Sequence, residues 1–196
     1  MKKIEIIWRE LLFEVIEKGN RNFTQKDIAA KFGFSTSTVF QALKTPRKMG
    51  AVRVSGRNFT LEDPEKLLYH WASVRDIEKD VIFKGRVDSS IFEVEGAMPP
   101  EIVFGGYTAA RNILEVSPAD YDKVFVYTKE VSGIKDRFNF TKGNPNLFIL
   151  KADEFIEKYG QVTTLAQTFV DLWNMSEWYA KEFSRSLKEK IDGLLS

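Results

Sequence analysis

Cysteine is absent from the 196 residues, and histidine occurs once, as His70. The first absence excludes disulfides and thiol catalysis. The second excludes a zinc site with several imidazoles, so carboxylates are the only plausible metal ligands. Long apolar runs are missing as well: nothing reaches the roughly eighteen residues needed to cross a bilayer. The start Met1-Lys2-Lys3 leads into an amphipathic pattern, not an apolar signal segment. These absences predict a cytoplasmic protein with no membrane partner.

Net charge is small, at +1, but the charged residues are unevenly placed. Residues 1–62 hold 12 Lys and Arg against 6 Asp and Glu, and residues 63–196 hold 17 against 22. A basic small unit joined to an acidic larger one implies that only the first faces a polyanion.

The order of patterns predicts an α+β protein. Ile4, Ile7, Trp8, Leu11, Leu12, Val15 and Ile16 recur at helical spacing over residues 4–18, and Gly19-Asn20 ends that helix. Thr24 and Asp27 form a capping pair for a second helix with Ile28 and Phe32 inward, stopped by Gly33. Ser35 or Ser37 caps a third helix with Val39 and Leu43 inward and polar or small residues elsewhere. Pro46 predicts that this helix ends near Lys44. Residues 51–54 and 58–61 alternate across a Gly56 turn, which reads as a hairpin. The N-terminal unit, residues 1–62, is therefore expected to be a winged helix-turn-helix.

Asp63-Pro64 closes the hairpin, and a connecting helix within residues 63–79 is expected from Glu65 to about Glu78, carrying Leu67, Leu68, Trp71, Ala72 and Val74. Residues 80–196 read as an α/β domain with a C-terminal helical tail. Strands are expected over 81–83, 91–94, 102–104, 124–127 and 147–150, and a helix over 107–114. In the tail, helices are expected over 154–159 and 164–173, with Ser176 capping a last helix whose Tyr179, Phe183, Leu187 and Ile191 form one stripe. Core is the favoured reading of that stripe, and a dimer seam the alternative.

A protein that reads the major groove needs a projecting helix with an apolar back and a donor-bearing front. Ser35, Thr36, Ser37 and Thr38 stand at the N-terminus of the third helix, where hydroxyls, free N–H groups and the helix dipole suit phosphate. Gln41 and Lys44 follow one and two turns on, suited to adenine and to guanine or phosphate. Arg47 and Lys48 lie between helix and hairpin, and Arg53, Arg57 and Asn58 on or near its tip. The expected partner is double-stranded DNA, bound by a homodimer that reads two half-sites. No cofactor is expected.

The whole order of parts resembles the AbiEi-like antitoxins of type IV toxin-antitoxin systems. The matching stretches are Leu61 to Ala72, Gly105-Gly106-Tyr107-Thr108-Ala109-Ala110, and Thr168-Phe169-Val170-Asp171-Leu172-Trp173. The resemblance implies a transcriptional regulator that represses its own promoter, with a second domain for antitoxic or regulatory contacts and a cognate toxin as partner. A stand-alone regulator is the nearest alternative.

Gly105-Gly106 followed by Asp120-Tyr121-Asp122 imitates a nucleotidyltransferase, in which a glycine turn holds triphosphate and paired aspartates hold magnesium. The aspartates follow Ser117-Pro118-Ala119 in a loop, and residues 147–150 supply no third carboxylate. The expectation is a degenerate, non-catalytic version of that fold, and not an enzyme. His70 has no nucleophile at a suggestive spacing and reads as a packing residue. Phe138 and Phe140 with Arg137 and Lys142 suggest an RNA-stacking surface, although such aromatics more often fill a core.

Overall fold

The computed structural model describes residues 1–196. It is a mixed α+β chain with nine helices and two sheets. It divides into two units, Met1–Arg75 with Ile191–Ser196, and Asp76–Lys190.

The first unit runs α1 (Lys3–Lys18), β1 (Asn22–Thr24), α2 (Gln25–Phe32), α3 (Thr36–Lys48), β2 (Val52–Ser55), β3 (Asn58–Leu61) and α4 (Pro64–Val74). Local chemistry sets most of these boundaries. Gly19 and Gly33 end α1 and α2 in the left-handed conformation, at φ 71° and 62°. Thr24 Oγ1 accepts the Asp27 N–H at 3.0 Å, and Ser35 Oγ accepts the Thr38 N–H at 3.2 Å. Asp63 does the same for Lys66, with Pro64 in the first turn of α4, where its missing N–H costs nothing.

The expectation that α3 stops near Lys44 is corrected: the helix continues through Pro46 to Lys48. A proline inside a helix leaves the carbonyl four residues earlier without its donor. That carbonyl belongs to Ala42, and the Trp8 indole N–H of α1 donates to it at 2.8 Å in a buried hydrogen bond. Pro46 itself joins Val39, Ala42 and Leu43 on the buried face. Replacing Trp8 by Phe keeps the ring but strands the carbonyl, and should destabilise the protein by about 1–3 kcal/mol in urea unfolding. In a Pro46→Ala background the restored amide can serve Ala42, so the same change should cost clearly less. Equal costs in both backgrounds would refute this account.

The short strand β1 was not evident in the sequence. It pairs antiparallel with β3, which pairs with β2, giving the order β1-β3-β2. Phe23 and Phe59 are direct partners in that register and stack at 5.4 Å. Three residues, Asn-Phe-Thr, are too short a stretch for a period-2 pattern to show.

The second unit contains β4 (Val81–Val87), α5 (Ile91–Gly96), β5 (Val103–Gly105), α6 (Gly106–Leu114), β6 (Val124–Thr128), α7 (Ser132–Lys135), β7 (Phe140–Thr141), β8 (Leu147–Lys151) and α8 (Leu165–Trp173). The last helix, α9, spans Ala180–Leu195. The sheet order is β5-β6-β8-β4-β7, with β6 and β8 parallel and the other pairs antiparallel. Every residue of β6 is buried, which is why its sequence reads as a continuous apolar run instead of an alternating one. Val124 and Val126 join Val87, Val94, Ile134, Leu147 and Ile149 in one core cluster. Phe125 belongs to a different layer, stacking on Phe148 at 4.7 Å and meeting Tyr107 edge-on.

Three sequence expectations fail here. Residues 91–94 form part of helix α5, because Ser90 and Glu93 make a capping box that outweighs the β-like Ile-Phe-Glu-Val run. Residues 154–159 form only a 3₁₀ turn, over Ile156–Tyr159. Ser176 does not cap α9, which starts at Ala180. The stripe itself is core: Tyr179, Phe183, Leu187 and Ile191 are all buried.

Asn146, just before β8, stitches this sheet together with its side chain. Its Oδ1 accepts the Val87 N–H at 2.8 Å and its Nδ2 donates to the Val87 carbonyl at 2.9 Å, imitating a strand pair with both groups buried.

Candidate nucleic-acid interface

The tight turn Gly33-Phe34 between α2 and α3 sets the direction of α3, and the Phe34 ring stacks on Phe32 at 5.7 Å. With Val39, Ala42, Leu43 and Pro46 buried, the opposite face of α3 is left to solvent. Ser37, Gln41, Lys44 and Lys48 follow one another at steps of four, three and four along that face, and all are exposed. Continuation of the helix past Pro46 is what brings Lys48 into this row and Arg47 beside it. A helix ending at Lys44 would have left both in a turn.

At the N-terminus, Ser35 Oγ lies 3.0 Å from Ser37 Oγ and 2.9 Å from Thr38 Oγ1. Ser35 is thus engaged in capping, Thr38 is half-buried, and Thr36 and Ser37 are exposed. On the hairpin, Gly56 takes the first loop position at φ 59°, where a type II′ turn places glycine, and Arg57 and Asn58 are exposed at the tip. Arg53 is different. Its guanidinium pairs with Glu62 at 2.6 Å, a contact across the sheet that the sequence did not reveal.

The basic residues of the first unit differ in how they are held. Lys31, Arg53, Lys66 and Arg75 all have carboxylate partners. Lys44, Arg47, Lys48 and Arg57 have none, and all four are exposed. Phe40 escaped the sequence reading. It is 43% exposed and lines a shallow depression on α3 with Lys44, Arg47 and Lys48. Its signal was available: Val39 takes the inward position, so Phe40 is turned about 100° away from it.

The other sequence candidates are placed differently. A side chain at Gly105 would meet the Tyr127 ring at 2.8 Å, and one at Gly106 would meet Phe125 at 3.0 Å. The glycine pair thus serves close packing of α6 on β6, and both residues are buried. Asp120 is exposed in the loop before β6, and Asp122 accepts a hydrogen bond from the Tyr179 hydroxyl. No three His, Asp or Glu side chains lie together as a metal site would require. Phe138 and Phe140 are half-buried against the second core, where Phe140 meets Phe83 at 4.9 Å and covers Gly85. Arg137 donates to the Ala97 carbonyl, and Lys142 is exposed.

Below α6, Glu177 accepts from the Tyr107 hydroxyl at 2.8 Å and pairs with Lys123. Burial would raise this carboxyl, but the Lys123 and Tyr107 hydrogen bonds outweigh it and hold Glu177 below the usual carboxylate range. Glu95 collects Thr108, Tyr121 and Arg111, each at 2.7 Å. These carboxylates are occupied in tying α5, α6 and the following loop together.

His70 is half-buried and sits edge-on to Trp8 at 5.0 Å. Burial lowers its pKa below the ordinary 6.5. The unfolded chain therefore takes up a proton at a pH where the folded chain resists it, so stability is complete above about 6.5 and declines as pH falls through that value. Urea midpoints at pH 8 and pH 5.5 should show a larger acid loss in the native protein than in His70→Gln. The same loss in both would exclude His70 as the source.

Comparison of the chain with protein-family models, with curated proteins and with solved structures returned no match.

Proposed function

We propose that the first unit is a winged helix-turn-helix that binds double-stranded DNA, with α3 in the major groove and the β2–β3 hairpin as its wing. The element order α1-β1-α2-α3-β2-β3, with β1 completing the sheet behind the hairpin, supports that fold. The observation that carries the function is the row of unpaired cations on α3. Lys44, Arg47 and Lys48 stand together without carboxylate partners on the exposed side of a helix whose back is buried. Such a face matches a phosphate backbone flanking a groove.

The protein acts as a transcriptional regulator in this reading, as a homodimer on two half-sites. Its resemblance to AbiEi-like antitoxins supports repression of its own promoter and a toxin as partner of the second unit. Selection of bound genomic fragments with the full chain tests the proposal. Enrichment of the fragment upstream of its own gene, with binding that weakens steeply as salt rises, is the expected result. Enrichment of RNA in a parallel selection, or salt-independent binding, would overturn it.

A further inference from the structure

We infer that Phe40 reads the 5-methyl group of a thymine in the major groove. The inference rests on the DNA reading above and names what its central face recognises.

Phe40 lies outside the buried face of α3. The buried face is filled by Val39, Ala42, Leu43 and Pro46, and the Phe40 ring makes no ring or cation contact within the chain. At 43% exposure the Phe40 ring leaves apolar surface that a partner can cover with a gain in free energy. What surrounds it restricts the covering partner. Lys44, one turn on, and Arg47 and Lys48, two turns on, line the same shallow depression and are all without carboxylates. An uncharged apolar partner would leave these three cations unmatched. A duplex supplies both parts at once, because phosphates lie along the groove and the thymine methyl is the one apolar group on its major-groove edge. Gln41, the next residue, is exposed beside Phe40 and can pair with adenine. Together they favour A·T pairs under the middle of α3.

Uracil differs from thymine by this methyl alone and keeps every hydrogen-bonding group. The full chain is first used to select a bound duplex from a random-sequence library. Each thymine of that duplex is then replaced singly by uracil, and binding is measured by competition for the native protein, Phe40→Ala and Phe40→Leu. At least one replacement should weaken native binding about three- to fivefold, the worth of one methyl group removed from water. Phe40→Ala should bind the thymine and uracil duplexes equally, and Phe40→Leu should keep part of the difference. If duplex binding is salt-dependent but no replacement matters, or the penalty persists in Phe40→Ala, the assignment to Phe40 is wrong and the DNA reading stands. If no duplex is selected at any salt concentration, the DNA reading falls and this inference with it.

Discussion

Replacing Lys44, Arg47 and Lys48 together by alanine is expected to weaken duplex binding by about two to three orders of magnitude at about 0.1 M salt. Each cation that neutralises a phosphate releases condensed counterions, and contributes about −0.9 to the slope of log affinity against log salt. Losing three should flatten that slope by about 2.7, and fluorescence anisotropy over a salt series reads it directly. Stability should barely change, because all three side chains are exposed and make no ion pair. Arg57→Ala should remove a further increment from the hairpin tip. Arg53→Ala should do less, since its guanidinium is held by Glu62. An unchanged slope in the triple variant would show that α3 is not the surface that meets phosphate.

Arg75→Met is expected to destabilise the first unit by about 3–5 kcal/mol, a large share of any domain's stability. Arg75 and Glu5 are both buried, with Nη1 3.4 Å from Oε2. The same Glu5 oxygen accepts the Trp71 indole N–H at 3.2 Å, and Oε1 accepts the Lys2 N–H at 3.3 Å. Removing the guanidinium leaves a carboxylate in a low-dielectric site with only neutral donors, which cannot offset its lost hydration. Glu5→Gln in the Arg75→Met background removes the stranded charge and keeps an acceptor for Trp71, so it should recover most of the loss. Urea unfolding of the two variants decides the matter: a loss below about 1 kcal/mol in Arg75→Met, or no recovery in the double variant, would mean the pair is not what holds α1 to α4.

Both predictions depend on contacts the sequence announces poorly. Glu5 and Arg75 are 70 residues apart, and each reads alone as an ordinary surface charge on an amphipathic helix. The cationic row on α3 was half legible. Ser37, Gln41 and Lys44 follow from the inward positions of Val39 and Leu43, whereas Lys48 and Arg47 depend on whether Pro46 breaks the helix. Phe40 follows from the same periodicity, but the expectation of only polar or small residues beside Val39 and Leu43 passes over it. In the second unit the reverse error occurred. Ile91 to Val94 looked like a strand because apolar composition outweighed the Ser90-Glu93 capping box directly before and within it.

Features whose partners lie within about one helical turn or one hairpin loop are specified by local residue types. The cap at Thr24, the stops at Gly19 and Gly33, and the turn at Gly56 are of this kind. Their hydrogen bonds close over three to five residues, so the residue types at those positions are sufficient to specify them. The tertiary structure alone decided the features whose partners come from elsewhere in the chain. The Trp8 indole, 34 residues from Ala42, lets α3 run through a proline and so sets the length of the candidate reading surface. Glu62 gives Arg53 a carboxylate partner on the hairpin, and Tyr127 and Phe125 turn a glycine pair that looked like a phosphate loop into a packing joint. A donor or a ring brought from a distance can reverse what local propensity dictates, because a buried polar group or a filled space outweighs the fraction of a kilocalorie that propensity carries.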